Sequence, residues 1–123
     1  MENKNQAAKH QKVAVGYYRT AASDDGGDML RQTEAAKEKA GILSARIDAA
    51  YADRDGMKDG EIERPGFTLL SKFLSEVKVD YVIMRNQDHL SDNKQEAAEM
   101  MQAIEQTGAR VEFVGMHRQP NRA

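Results

Sequence analysis

Short apolar runs alternate along this chain with longer stretches whose apolar residues recur at helical spacing. Lys12 to Arg19, KVAVGYYR, is apolar and aromatic between polar flanks, the pattern of a strand buried on both faces. After the polar loop AASDDGGD, the segment MLRQTEAAKEKAG places Met29, Thr33, Ala36 and Ala40 on one helical face, with Gly41 where a left-handed C-cap is wanted. Ala45 to Asp53 alternates loosely and predicts a second strand that opens onto an exposed loop, RDGMKDGE. Pro65 suits the first turn of a second helix whose stripe is Phe67, Leu70, Leu74 and Val77. Val79 to Arg85 reads as a third strand. Asp92 followed by Gln95 has the form of a capping box for a third helix that buries Ala97, Met101 and Ile104 before Gly108, and ARVEFVG reads as a fourth strand.

Strands that alternate with helices must pair in parallel through right-handed crossovers. The expected fold is therefore α/β, a three-layer sandwich with a mainly parallel central sheet of four or five strands in the order 2-1-3-4 and helices on both faces. A length of 123 residues suits one domain. Its expected limits are a flexible N-terminal tail over 1–11, the α/β domain over 12–115 and a C-terminal tail over 116–123. Open parallel sheets collect ligands beyond the carboxyl ends of their strands. The loop after the first strand carries Arg19, Thr20, Ser23, Asp24 and Asp25; the loop after the third carries Arg85, Asn86, Gln87, Asp88 and His89. In the order 2-1-3-4 these two loops meet in one crevice.

Composition narrows what such a crevice can do. With no cysteine, disulfides and thiolate metal sites are excluded, and His10, His89 and His117 are too dispersed to suggest a metal centre; neither a metal nor another cofactor is expected. No apolar run is long enough for a signal or a membrane span, so a cytoplasmic protein without membrane contact is expected. Eighteen basic residues against 20 acidic ones leave a net charge of −2, which supplies no overall attraction to phosphate. Affinity for DNA would have to be weak and local, or reached through a partner. The basic ends, Lys4, Lys9, His10 and Lys12 at one and His117, Arg118 and Arg122 at the other, read as solvated tails.

A family resemblance rests on five short motifs in order: Tyr17-Tyr18-Arg19-Thr20-Ala21, then Gln32, then Tyr51-Ala52-Asp53, then Arg64-Pro65-Gly66, then Asp88-His89-Leu90-Ser91-Asp92. None is specific alone, but their order and spacing from Val13 to Val114 resemble the N-terminal catalytic domain of resolvase/invertase-type serine recombinases. There the first motif reads Tyr-x-Arg-Val-Ser and the last Asp-Arg-Leu-x-Arg. The resemblance implies a serine hydroxyl that attacks a DNA phosphate to form a phosphoserine link, with arginines stabilising the transferring phosphoryl group.

In this chain the motifs are degenerate where that chemistry would occur. Ala21 stands where the resemblance places the nucleophile, and a methyl group cannot attack phosphorus. His89 and Asp92 stand where two arginines belong, and a carboxylate at Asp92 repels phosphate. Tyr17, Arg19, Gln32, Asp53 and Asp88 are retained around this vestigial pocket. The expectation is a pseudoenzyme: a non-catalytic recombinase domain that acts as an interaction or regulatory module related to DNA recombination. Its expected partners are a full-length serine recombinase or a second copy in a weak homodimer. Complete small recombinases continue into a dimerisation helix and a DNA-binding domain, whereas this sequence stops at GMHRQPNRA, so autonomous DNA recognition is not expected. Two alternatives stand beside this reading. Ser23, or less readily Thr20, could replace the nucleophile through a shifted loop in an active DNA-cleaving domain. Asp24, Asp25 and Asp88 could instead form the acidic pocket of a receiver-like signalling domain, although such receivers need a lysine after a fifth strand and none follows Lys94.

Overall fold

A computed structural model describes residues 11–56, 60 and 63–115. Its elements are β1 (Lys12–Thr20), α1 (Gly27–Ile42), β2 (Ala45–Arg54), α2 (Pro65–Glu76), β3 (Tyr81–Met84), a 3₁₀ turn (Gln87–His89), α3 (Lys94–Glu105) and β4 (Arg110–Phe113). The four strands form one parallel sheet in the order β2-β1-β3-β4, as the alternation of elements predicts. Apart from Gln11, the tails expected at 1–11 and 116–123 lie outside the described residues, as does much of the RDGMKDGE loop.

The two faces of the sheet are unequally covered. Val15, Tyr17, Val82 and Met84 pack with Leu70 and Leu74 of α2 and with Ala97 and Ile104 of α3. On the other side Ala14, Tyr18 and Ile83 meet Ala36 and Ala40 of α1. Because β1 is central and covered on both sides, residues 14–18 are all buried, which is why its sequence runs apolar instead of alternating. Along β2 the register to β1 shifts so that Ile47 pairs with Ala14 but Ala49 with Val15, leaving Asp48 as the extra residue of a bulge. Arg46 pairs with Asp48 across that irregularity at 2.6 Å, placing charge on an edge strand.

Local details depart from the sequence reading for identifiable reasons. Gly41 does not cap α1: the helix continues to Ile42, Leu43 packs into the core, and the left-handed residue is Ser44 with φ 56°. Val77 is not on the buried stripe of α2; it is extended and 39% exposed, and Val79 takes the core position. The capping box expected at Asp92 and Gln95 lies one residue further on, where Asn93 accepts from the Glu96 amide at 2.9 Å and Ser91 hydrogen-bonds the Glu96 carboxylate at 2.7 Å. Asp92 is instead drawn toward Arg19. β3 and β4 are shorter than the apolar runs containing them.

One close approach decides how α2 sits. A Cβ at Gly66 would lie 2.2 Å from the carbonyl oxygen of Ala52, so only glycine lets the helix start against the end of β2. Gly66→Ala is therefore expected to cost about 1–3 kcal/mol, the range for overpacking against backbone. Gly41→Ala, whose added methyl meets nothing within 4 Å, is expected to be neutral or to stabilise by about 0.5–1 kcal/mol. Urea-unfolding midpoints of the two variants check both signs.

Candidate functional site

Beyond the carboxyl ends of β1 and β3 lies an open crevice of about 230 Å³. It joins the two loops that the topology brings together. Arg19, Thr20 and Ala21 come from the end of β1, Arg85 from the end of β3, and Asp88, His89 and Asp92 from the loop that follows. Asp28 of α1 and Asp55 after β2 complete its lining. Of the residues singled out from the sequence, Arg19, Thr20, Ala21, Arg85, Asp88, His89 and Asp92 line this crevice directly. Ser23 does not. It is exposed on the turn closed by the Asp24 amide on the Ala21 carbonyl at 3.1 Å.

Tyr17 and Asp53 belong to a buried network behind the crevice. The Tyr17 hydroxyl donates to Asp53 Oδ2 at 2.6 Å, and the same carboxylate accepts the Gly66 amide at 2.7 Å and the Phe67 amide at 3.0 Å. Asp53 thus caps α2 from a neighbouring strand, satisfying helix amides that Arg64, with no capping side chain, leaves open. Burial and the hydrogen bond to Asp53 push the Tyr17 phenol well above its ordinary pKa, so it remains a donor. Arg64 donates to the Tyr17 oxygen at 2.9 Å, to the His89 carbonyl at 2.7 Å and to the Leu90 carbonyl.

Arg19 completes the pattern. Its Nη1 reaches the Asp88 carbonyl at 3.1 Å, so three successive carbonyls of one loop are held by two guanidiniums. The Arg19–Asp88 contact goes through the backbone and not through the Asp88 carboxylate. Arg19 Nε is taken by Asp55 at 2.7 Å, and Asp92 stands 3.9 Å from Nη1. Arg85 meets Asp28 at 2.6 Å. Arg54 gives its Nη1 to the Asp24 carbonyl at 2.6 Å and the Ala22 carbonyl at 3.2 Å, tying down the loop that carries Ser23. Sequence reading missed Arg54, Asp28 and Asp55, which lie outside the recognised motifs in polar stretches, and named Arg64 only within the Arg64-Pro65-Gly66 motif, without a role in the site.

Gln32 and His89 form the floor. Gln32 Nε2 donates to the Arg19 carbonyl and to Asp28 Oδ2, both at 2.9 Å, while its Oε1 accepts from the Arg19 amide at 3.2 Å. That fixes the amide orientation, so His89 Nε2, 2.8 Å from Gln32 Oε1, must carry the hydrogen. Burial, with Arg85 and Arg19 nearby, pushes the His89 pKa down from 6.5 to about 4. His89 is neutral at pH 7 and adds no charge. The crevice lining then sets two guanidiniums against four carboxylates, a surplus of negative charge. Among the described residues, no cluster of histidine and acidic side chains has the arrangement to hold a metal ion.

The family model for the resolvase N-terminal domain matches residues 14–122 of the chain. No curated protein matches it. Among solved structures, it is similar to the C-terminal catalytic domain of ISC1926 TnpA, an IS607-like serine recombinase, at 22% identity and TM-score 0.70, over 83% of this chain and 70% of that one. The N-terminal catalytic domain of TP901-1 integrase aligns at 16% identity and TM-score 0.69, over 85% and 78%. A resolvase family site-specific recombinase from Streptococcus pneumoniae aligns at 18% identity and TM-score 0.68, over 85% and 73%.

The depressed pKa of His89 sets a pH window. Below about 6.5 the unfolded chain protonates this imidazole while the folded chain does not, so stability falls as pH drops from 6.5 toward 4 and is flat above 6.5 as far as His89 is concerned. His89→Gln, which keeps a donor toward Gln32, is expected to remove about 2 kcal/mol of that pH dependence. Thermal melts of both proteins across the window check it.

Proposed function

The chain belongs to the resolvase N-terminal domain family, and from that premise we propose that it is a non-catalytic recombinase domain serving as an interaction or regulatory module in DNA recombination. The observation that carries the reading is the state of the crevice. Ala21 occupies the place where the family resemblance puts the attacking serine. Around it, Arg19 and Arg85 are already paired with Asp55 and Asp28. A DNA phosphate entering there would meet net negative charge and would have to displace these internal partners. Ser23 lacks the surroundings of a nucleophile: it lies outside the crevice, on a turn held by Arg54.

The reading assigns the domain a role through its surface. Leu30 and Ile42 of α1 and Leu69 of α2 are each more than half exposed, and they offer apolar contacts to a full-length recombinase or to a second copy of the chain. Contact with DNA would come through such a partner. Among the described residues no helix is long and apolar enough to cross a membrane.

Incubation with supercoiled plasmid, followed by denaturing electrophoresis, tests the proposal. No nicks and no covalent protein–DNA adduct are expected, either from the wild type or from Ser23→Ala. Ala21→Ser alone is expected to stay inactive, since each missing preorganised donor costs roughly a hundredfold to a thousandfold in rate. An adduct from the wild type that Ser23→Ala abolishes would establish the opposite reading.

A further inference from the structure

The sheet has two open edges, and they differ. β4 is short, whereas β2 runs from Ala45 to Arg54 and pairs with β1 alone among the described residues. The Asp55 amide donates to the Thr20 carbonyl at 2.9 Å, so by alternation the amides of Tyr51 and Asp53 point at β1 and those of Ala50, Ala52 and Arg54 point away from it. Ala50 and Ala52 are exposed and carry no side chain that would block an approaching strand. Such an edge is a template for further pairing. The charged pair that protects the start of β2, Arg46 with Asp48, sits at the bulge and leaves the stretch beyond it unprotected. The helix above this edge is apolar on the same side. Phe67 meets Tyr17 of β1 with ring centroids 5.7 Å apart, while Phe73 meets Tyr51 of β2 at 6.1 Å. The Phe73 flank of α2 therefore overhangs β2, and Leu69, one turn earlier on that flank, is 53% exposed.

We propose that two copies of this chain join through the outer edges of β2, antiparallel across a twofold axis at Tyr51, to make one continuous sheet. The strand's own sequence selects that partner and that register. With Tyr51 opposite Tyr51 of the second copy, Ala50 faces Ala52 as a hydrogen-bonded pair, and Asp48 faces Arg54 on both sides of the axis. A slip that sets Ala50 opposite itself would put Arg46 opposite Arg54, a like-charge pair, and a slip that sets Ala52 opposite itself shortens the ladder. Arg54 holds the loop after β1 through Nη1; its Nε and Nη2 make no hydrogen bond among the described residues and can meet a carboxylate. Both α2 helices then lie on one face of the joined sheet, where Leu69 and Phe73 approach their counterparts over the paired Tyr51 rings. The bulge at Asp48 ends the ladder and each copy uses its β2 edge once, so the assembly closes as a dimer. This rests on the reading of the domain as an interaction module and commits that module to a second copy at one surface.

Cross-linking tests the register. The chain has no cysteine, so Tyr51→Cys introduces a single thiol. Facing residues of a non-hydrogen-bonded antiparallel pair have Cα atoms about 4.5 Å apart, within disulfide range. Ala49 faces Asp53 of the second copy, which leaves the two Ala49 positions about 13 Å apart along the strands. Mild oxidation is expected to link Tyr51→Cys into a dimer at least roughly tenfold faster than Ala49→Cys. Sedimentation velocity of the wild type is expected to show a monomer–dimer equilibrium. Ala50→Pro, which deletes an outward amide and spares the ladder to β1, is expected to weaken it at least roughly tenfold, as is Leu69→Asp. Where circular dichroism shows that Ala50→Pro is not folded, Leu69→Asp on the exposed flank of α2 carries the comparison. A monomer at every concentration, a dimer indifferent to the folded variants, or equal cross-linking at positions 49 and 51 would overturn the inference. A monomer that forms no DNA adduct would leave the non-catalytic reading standing, whereas an adduct from a dimer joined through β2 would overturn that reading alone.

Discussion

Asp53 sits at the end of β2 with almost no access to solvent, yet it carries a charge that must be compensated where it lies. The Tyr17 hydroxyl and the first free amides of α2 provide that compensation. Each of these contacts places another element. The amides bring α2 against the end of β2, where glycine is needed at position 66. The Tyr17 oxygen in turn accepts from Arg64, whose guanidinium holds the loop after β3 by two of its carbonyls. One buried carboxylate therefore links β2, β1, α2 and the β3 loop, and removing it would leave several buried polar groups without partners at once.

The same economy explains the character of the crevice. Arginines at strand ends could serve an incoming phosphate or the protein's own backbone and carboxylates. Here they serve the protein: Arg64 and Arg19 hold successive carbonyls, Arg54 holds the loop after β1, and Asp28 and Asp55 neutralise what remains. His89 fits that arrangement because a neutral imidazole can lie beneath two guanidiniums where a third cation would be repelled. The proposed absence of a reacting hydroxyl at Ala21 is in keeping with the internal pairing of the cations, since a site with no reaction to perform would have no need of free positive charge.

Much of this was legible in the residues. The alternation of an apolar KVAVGYYR, helical stripes and short apolar runs was enough for the parallel sheet and its order, because burial on both faces leaves few ways to read such a pattern. The motifs lie on the two loops that the sheet order brings into one crevice. Harder to see were contacts that depend on geometry across the fold. Nothing local marks Asp28 or Asp55 as partners of Arg85 and Arg19, or Asp53 as the cap of a helix beginning twelve residues later. Helix ends were also misplaced, at Gly41 and Val77, because the positions of Leu43 and Val79 in the core outweighed the local preferences of glycine and valine.

The central claim is that Arg19 and Arg64 are internal clamps and are not free to receive DNA. Guanidinium NMR tests it most directly, by following the side-chain NH signals of both residues in the free protein and with a short DNA duplex added. The account predicts slowly exchanging, conformationally restricted signals for Arg64 Nη and Arg19 Nε that do not move on addition of DNA. Rapidly averaged Arg19 signals in the free protein, or a saturable shift of Arg19 on adding the duplex, would contradict it.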